Sequence, residues 1–238
     1  MNNEIWKINW SGGKDSTAAT ILHYLRGDIC IVVCYIPMLT DSIPMIHKNH
    51  YNFIINTKSV FRSWGFDVKI VTGKTYYEHT HYILTRGKRK GLINGTGLGF
   101  GFCNFRNLSK IPALESVEKN WDYQDIGIAF DEPKRQYQLN NTIRSILCEM
   151  KYTEQDAKNL CIEYGLLSPL YETCKRDGCT ICPNKNESDF CSWLREYPDA
   201  ISILLEIEND TKQLYGDRYC PYRKYEWFSD RMKRGGLI

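Results

Sequence analysis

The sequence predicts an open, mostly parallel α/β sheet, and three features of its 238 residues carry that expectation. Short apolar runs alternate with longer amphipathic ones, in the β-α-β order of a sheet joined by crossovers. The second apolar run, DICIVVCYIPM, is continuous, as a strand buried on both faces requires. The hydrophobic fraction of 42% is enough for a sizeable core.

The elements follow in order. In EIWKINW, Trp6, Ile8 and Trp10 alternate with Lys7 and Asn9, the period of a strand. DSTAATILHYLRG spaces Ala18, Ala19, Ile21, Leu22 and Leu25 along one helical face, and Gly27 ends it. After the second strand, IHKNHYNFIINTKSVFRSWG reads as a helix stopped by Gly65, and FDVKIVTG as a third strand. TRGKRKGLINGTGLGFGF is a long basic, glycine-rich loop of a length that is usually functional or disordered. NLSKIPALESVEKNW reads as a helix begun near Pro112, and YQDIGIAF as a fourth strand running into the charged stretch DEPKRQ. YTEQDAKNLCIEYG is a helix capped by Thr153 and stopped by Gly165, and DAISILLEIEND is a further amphipathic helix. The change of character near residue 150 divides the chain into a sheet domain, 1–150, and a small helical, cysteine-bearing part, 151–238.

Basic and acidic residues nearly cancel, 31 against 28, so the net charge of +3 does not demand a nucleic-acid partner. No stretch approaches the roughly 20 apolar residues of a membrane span, and MNNEIWKINW lacks the apolar centre of a signal peptide. The expectation is a soluble cytoplasmic protein with no membrane partner.

SGGKDST, residues 11–17, lies where the first strand turns into the first helix. A helix cap needs one hydroxyl or carboxylate, not this whole set. Gly12 and Gly13 let the backbone approach a ligand closely. Their N–H groups and the helix dipole favour an anion there. Ser11, Ser16 and Thr17 add hydroxyl donors, and Lys14 adds charge. A carboxylate repels phosphate, so Asp15 fits if it caps the helix or helps hold Mg²⁺ against the phosphates. Asp131, Glu132, Lys134 and Arg135 follow the end of the fourth strand and are expected at the same crevice. Lys134 and Arg135 suit phosphate there, and Asp131 or Glu132 suits metal binding or helix capping.

The spacing matches neither G-x-x-x-x-G-K-[ST] nor G-x-G-x-x-G. It fits S-G-G-x-D-S and resembles the PP-loop of the N-type ATP pyrophosphatases. FCNFRNLSKIPAL, GIAFDEPKR and GCTICP resemble segments of the phosphoadenylylsulfate (PAPS) reductase-like branch, which includes the ATP sulfurylase small subunit; the likeness is nearest to uncharacterised bacterial and phage members. This resemblance implies a Rossmann-like, adenine nucleotide alpha hydrolase-like fold that binds ATP with Mg²⁺. It implies cleavage between the α and β phosphates, with AMP passing to an acceptor. Ser11, Gly12, Gly13, Ser16 and Thr17 would hold the pyrophosphate, and Lys14 and Arg135 would stabilise developing charge. Asp15 and Asp131 would assist Mg²⁺, and Lys134 would touch phosphate. Ala129 stands where the branch often has arginine. SGGKDS is intact and no cysteine follows Cys220, both of which argue against sulfonucleotide reduction. The acceptor stays open between a small molecule and a nucleic-acid base, the latter through adenylation-coupled sulfur transfer. A nucleotide sensor or partner subunit without turnover, and a homo-oligomer, are the further alternatives.

Of ten cysteines, Cys30, Cys34, Cys148, Cys161 and Cys220 are scattered and read as apolar packing. CKRDGCTICPNKNESDFC has the spacing C-x4-C-x2-C-x8-C. Its C-x-x-C core presents two thiolates to one metal, and sulfur ligands suit zinc or an iron–sulfur cluster. Cys174 and Cys191 are the local candidates for the remaining ligands. The family resemblance implies that Cys103 joins the late pair. The preferred set is Cys103, Cys179, Cys182 and Cys191 around a 4Fe–4S cluster, with Zn²⁺ as the alternative.

Arg86, Lys88, Arg89 and Lys90 precede Phe100, Phe102 and Phe105. This combination suits a lid over an anionic ligand or a stacking groove for single-stranded nucleic acid. The five histidines show no metal-ligand spacing, and most are expected to be structural or exposed.

Overall fold

The computed structural model describes residues 4–96, 98–99, 102–174, 177–222 and 226–238. Its strands, in chain order, are β1 (Ile5–Trp10), β2 (Ile29–Tyr35), β3 (Met38–Thr40), β4 (Ile43–Pro44), β5 (Asp67–Val71), β6 (Leu98–Gly99), β7 (Phe102–Cys103), β8 (Tyr123–Ile126) and β9 (Ile143–Arg144). Its α-helices are α1 (Lys14–Arg26), α2 (Lys48–Ser63), α3 (Tyr76–His81), α4 (Ile111–Glu115), α5 (Ile146–Glu149), α6 (Glu154–Glu163), α7 (Glu187–Glu196), α8 (Asp199–Tyr215) and α9 (Phe228–Arg234).

The residues gather into two compact units, each drawn from separated stretches of chain. The first comprises Met1–Tyr35, Asn49–Val71 and Val117–Asp177, and the second Ile36–Lys48, Thr72–Ser116 and Gly178–Ile238. These units cut across the division at residue 150. Residues 151–177 belong with the sheet, because α6 packs on α1, where the Cys161 thiol donates to the Lys14 carbonyl at 3.2 Å.

The first unit holds a five-stranded sheet in the order β5-β2-β1-β8-β9, with every pairing parallel. The chain builds outward from β1 through β2 to β5, then resumes on the other side of β1 with β8 and β9. The order therefore reverses beside β1, and ligands of open α/β sheets gather at the carboxyl ends of strands at such a point. β2 is buried from Cys30 to Cys34, as its unbroken apolar run requires. β1 buries Trp6, Ile8 and Trp10, but also Lys7, whose ammonium lies 5.2 Å from the centre of the Trp121 ring. A central strand is covered on both faces, so the alternation in EIWKINW understated its burial. α1 closes on Gly27 in the left-handed conformation, and α6 starts with the expected Thr153 cap, reciprocated by Asp156.

The fourth predicted strand is shorter than its apolar run: β8 stops at Ile126, before Gly127. The single helix expected over 107–121 is broken into a π-helical turn, Arg106–Lys110, and α4. Pro112 lies in the first turn of α4, where its missing N–H and its ring interrupt the regular ladder.

The second unit packs α7, α8 and α9 around Phe190, Trp193, Leu204, Tyr222, Phe228 and Met232. Glu208 of α8 is buried; it accepts the Ser229 N–H at 2.9 Å at the start of α9 and pairs with Lys212 at 2.6 Å. Among the described residues, no helix is long and apolar enough to cross a membrane.

Candidate functional site

Residues 11–13 join β1 to α1 at the point where strand order reverses. Gly13 takes the N-cap position of α1, and no side chain caps the helix there. The hydroxyls instead tie the loop to itself. Ser16 Oγ accepts the Ser11 N–H at 3.1 Å and lies 3.1 Å from the Gly13 carbonyl, to which it donates. Ser11 Oγ accepts the Gly13 N–H at 3.3 Å and donates to Asp177 Oδ2 at 2.9 Å.

Gly12 has φ +78°, and a Cβ there would stand 2.8 Å from both His50 Cε1 and Ile54 Cγ1. Only glycine fits that conformation in that space. Lys14 donates its backbone N–H to Tyr171 Oη at 2.9 Å. Burial, with Asp177 adding to it, raises the Tyr171 pKa, so its hydroxyl keeps its proton.

Lys14 Nζ lies 2.8 Å from Asp15 Oδ1 and 3.5 Å from Glu154 Oε2. Oxygens of Asp15, Glu132 and Glu154 all lie within 4.8 Å of one another. Burial raises the Asp15 pKa, opposed by its hydrogen bond to Lys14. Three carboxylates gathered beside a loop rich in N–H groups suit a hard, oxygen-seeking cation.

The predicted residues fall into two groups. Ser11, Gly12, Gly13, Lys14, Asp15 and Ser16 form the loop and its first helical turn. The others have different partners. Thr17 is fully buried, and its hydroxyl accepts the Trp10 indole N–H at 3.0 Å, because the fourth residue after Gly13 faces inward. Asp131 caps α6, accepting the Glu154 N–H at 2.9 Å, and it is Glu132 that joins Asp15. Arg135, half exposed, is held by both oxygens of Glu132 at 2.9 and 2.7 Å. Lys134 is exposed.

Sequence reasoning missed His50, Ser168, Tyr171, Glu154 and Asp177. His50 is structural, as expected of most of the histidines, but its place against the loop carried no sequence signal. None of the five carries a local motif; His50, Tyr171, Glu154 and Asp177 reach the loop from distant stretches, and Ser168 reaches it through His50.

In the second unit, Cys103, Cys179 and Cys182 lie within electrostatic reach of one another. Burial, then the neighbouring Cys103 and Cys182, pushes the Cys179 thiol up to about 12, while Lys110 pulls the other way. Burial, with Cys182 adding to it, also raises Cys103. Mutually disfavoured buried thiolates are the arrangement that a bound cation reverses. Among the described residues, the three sulfurs do not all lie within 4.8 Å of one another, wider than the about 3.8 Å edge of a tetrahedron with 2.3 Å zinc–sulfur bonds. The Cys191 thiol is turned to the Arg231 carbonyl, 3.6 Å away, and a Cβ on Gly235 would meet its sulfur. Cys174 is buried in the first unit.

The basic loop is tied to the rest of its unit: Arg89 lies 5.1 and 5.3 Å from the ring centres of Tyr215 and Tyr219, and the Thr96 hydroxyl donates to the Tyr219 carbonyl at 2.9 Å. Arg86, Lys88 and Lys90 are exposed. Phe105 is a core residue of the second unit and offers no stacking face. Phe100, and the side chain of Phe102, lie outside the described residues. His81, Glu206 and Asp210 bring three ligand-type atoms within 4.8 Å of one another, a grouping with no sequence motif.

No protein-family model and no curated protein matches the chain. The fold and site define an α/β protein with a parallel sheet of five strands, and a glycine–hydroxyl loop at its switch point.

Proposed function

We propose that the chain binds ATP at the 11–16 loop and splits it to AMP and pyrophosphate, transferring the adenylyl group to an acceptor. The observation that carries this is the seating of that loop at the carboxyl end of β1, where the sheet order reverses, with Asp15, Glu132 and Glu154 gathered beside Lys14. An acceptor oxygen attacks the α-phosphorus in line; the new O–P bond forms as the bond from the α-phosphorus to the bridging oxygen breaks, and pyrophosphate leaves. The protein's part is to position and to neutralise charge. Backbone N–H groups of the loop, with Ser11 and Ser16, hold the leaving pyrophosphate. Lys14 balances charge at the loop, and the raised pKa of Asp15 falls when a cation is bound beside it. Asp15, Glu132 and Glu154 would hold Mg²⁺, which supplies charge neutralisation on the phosphates.

The gathering of Cys103, Cys179 and Cys182 favours a second element of this reading, a sulfur-bound metal group in the second unit. A 4Fe–4S cluster and Zn²⁺ are the two groups that such sulfur ligands suit. Such a group favours sulfur transfer to an adenylated small molecule or nucleic-acid base.

The test is pyrophosphate release from ATP and Mg²⁺ in the presence of candidate acceptors. Asp15→Ala and Lys14→Ala are each expected to lower the rate by about 10²-fold or more, with the fold intact by circular dichroism. Unchanged rates in both variants would refute the assignment.

A further inference from the structure

Asp177 brings a carboxylate onto the glycine loop. Its Oδ2 accepts the Ser11 hydroxyl at 2.9 Å, and a Cβ on Gly13 would lie 2.6 Å from that same oxygen. This carboxylate therefore rests against the loop where the backbone is bare of side chains. The loop thus already receives an anionic oxygen, one supplied by the protein itself.

The other acidic groups at the loop have cationic partners. Asp15 and Glu154 share Lys14, and Glu132 is held by Arg135. The Asp177 contact is to a neutral hydroxyl. A phosphate arriving at the loop would need that same hydroxyl, and would meet the carboxylate as a like charge. Like charges brought together at a binding surface weaken binding.

We infer that Asp177 is a built-in competitor for the anion site: it takes the Ser11 hydroxyl that a phosphate oxygen takes, and phosphate binds by displacing it. The inference rests on the reading of residues 11–16 as a phosphate loop. It gives the chain a closed resting state in which the loop's hydroxyl is satisfied without ligand. It also sets a threshold that weak anions do not cross, because a single negative charge must outcompete a carboxylate already tethered to the chain. A polyphosphate brings several charges and many acceptor oxygens, so the competitor selects for it.

The experiment is calorimetric titration of the full chain with inorganic pyrophosphate, without divalent cations, for the wild type, Asp177→Asn, Asp177→Ala and Ser11→Ala. Asparagine keeps the shape and removes the charge. Asp177→Asn is expected to bind pyrophosphate about tenfold more tightly than the wild type, and Asp177→Ala at least as tightly. Ser11→Ala is expected to bind more weakly than either. Equal or weaker binding by both Asp177 variants, with wild-type circular dichroism, overturns the inference while leaving the phosphate loop standing. Failure of every protein, wild type included, to bind pyrophosphate or ATP with Mg²⁺ overturns the loop assignment and this inference with it. A second readout is the ¹³C shift of the Asp177 carboxylate in labelled protein. It is expected to move on saturation with pyrophosphate, and a stationary signal at saturation counts against displacement.

Discussion

His50 stands between Ser11 and Ser168: its Nε2 is 3.2 Å from the Ser11 carbonyl oxygen, and its Nδ1 is 2.8 Å from Ser168 Oγ. A carbonyl only accepts, so Nε2 carries the proton and Nδ1 accepts from the serine hydroxyl. The ring also fills the space that a side chain at residue 12 would need. The turn at Gly12 is thus propped by a buried imidazole whose tautomer is fixed at both ends. His50→Ala takes one partner from the Ser11 carbonyl and one from the buried Ser168 hydroxyl, which keeps only the Leu170 N–H, and is expected to cost about 1–3 kcal/mol of stability. Pyrophosphate affinity is expected to fall about tenfold, since the loop loses its support. Urea denaturation and calorimetric titration check the two parts separately, and His50→Gln is expected to recover part of each.

Gly127 is the second position where a missing side chain shapes the loop. A Cβ there would lie 2.7 Å from the Ser16 nitrogen and 3.0 Å from Asp15 C, both backbone atoms that cannot rotate away. Gly127→Ala is therefore expected to push the end of β8 off the first turn of α1, at about 1–3 kcal/mol. Pyrophosphate release should drop, with little change in the far-ultraviolet spectrum. Wild-type stability and turnover in this variant would contradict the close approach.

Stability should depend on pH through His23. The ring is fully buried, with Nδ1 2.6 Å from Asp28 Oδ2 and Nε2 3.2 Å from Asp125 Oδ2. Burial alone would lower its pKa, but the hydrogen bonds to Asp125 and Asp28 outweigh that and raise it from 6.5 to about 10. The folded state thus binds this proton more tightly than the unfolded chain does. Its contribution is fully present below about pH 6.5 and is lost as pH rises toward 10. Denaturation midpoints measured from pH 6 to pH 10 should fall across that window. In His23→Gln the slope should flatten, on top of a loss of about 1–3 kcal/mol, because Asp28 keeps Arg26 and Asp125 keeps the Ile146 N–H while both lose the imidazole.

The cysteines should separate by their surroundings. Cys103→Ser, Cys179→Ser and Cys182→Ser are each expected to strip most of the iron, or zinc, from purified protein. Cys191→Ser should retain more of it, because that thiol already donates to the Arg231 carbonyl. Metal analysis and the visible absorption spectrum of the four variants decide this.

The sequence made local features legible and left convergent ones hidden. β1, β2, β5, α1 and α6 rest on periodicity, glycine stops and a serine- or threonine-type cap, all contained within a few residues. The glycine loop was legible because its composition exceeds what a turn needs. Thr17 shows the limit of that logic: composition proposed a ligand hydroxyl, and helical geometry turned it toward Trp10. Asp131 and Glu132 are adjacent in sequence with the same chemistry, yet one caps α6 and the other joins Asp15. Tyr171 and Asp177 had no periodicity to reveal them, since each reaches the loop through a single side-chain atom. β9, two residues long, is defined by its pairing with β8 and not by any apolar run of its own.

The interleaved build of the two compact units has a practical consequence. A single cut after residue 150 would strip the sheet of α6, of the phenol that holds the Lys14 amide and of Asp177, while the cysteine-bearing unit would lose the stretch that supplies Cys103. Neither unit can be excised, fused or exchanged as a cassette by one recombination event. Any shortened version must keep all three stretches of whichever unit it aims to preserve.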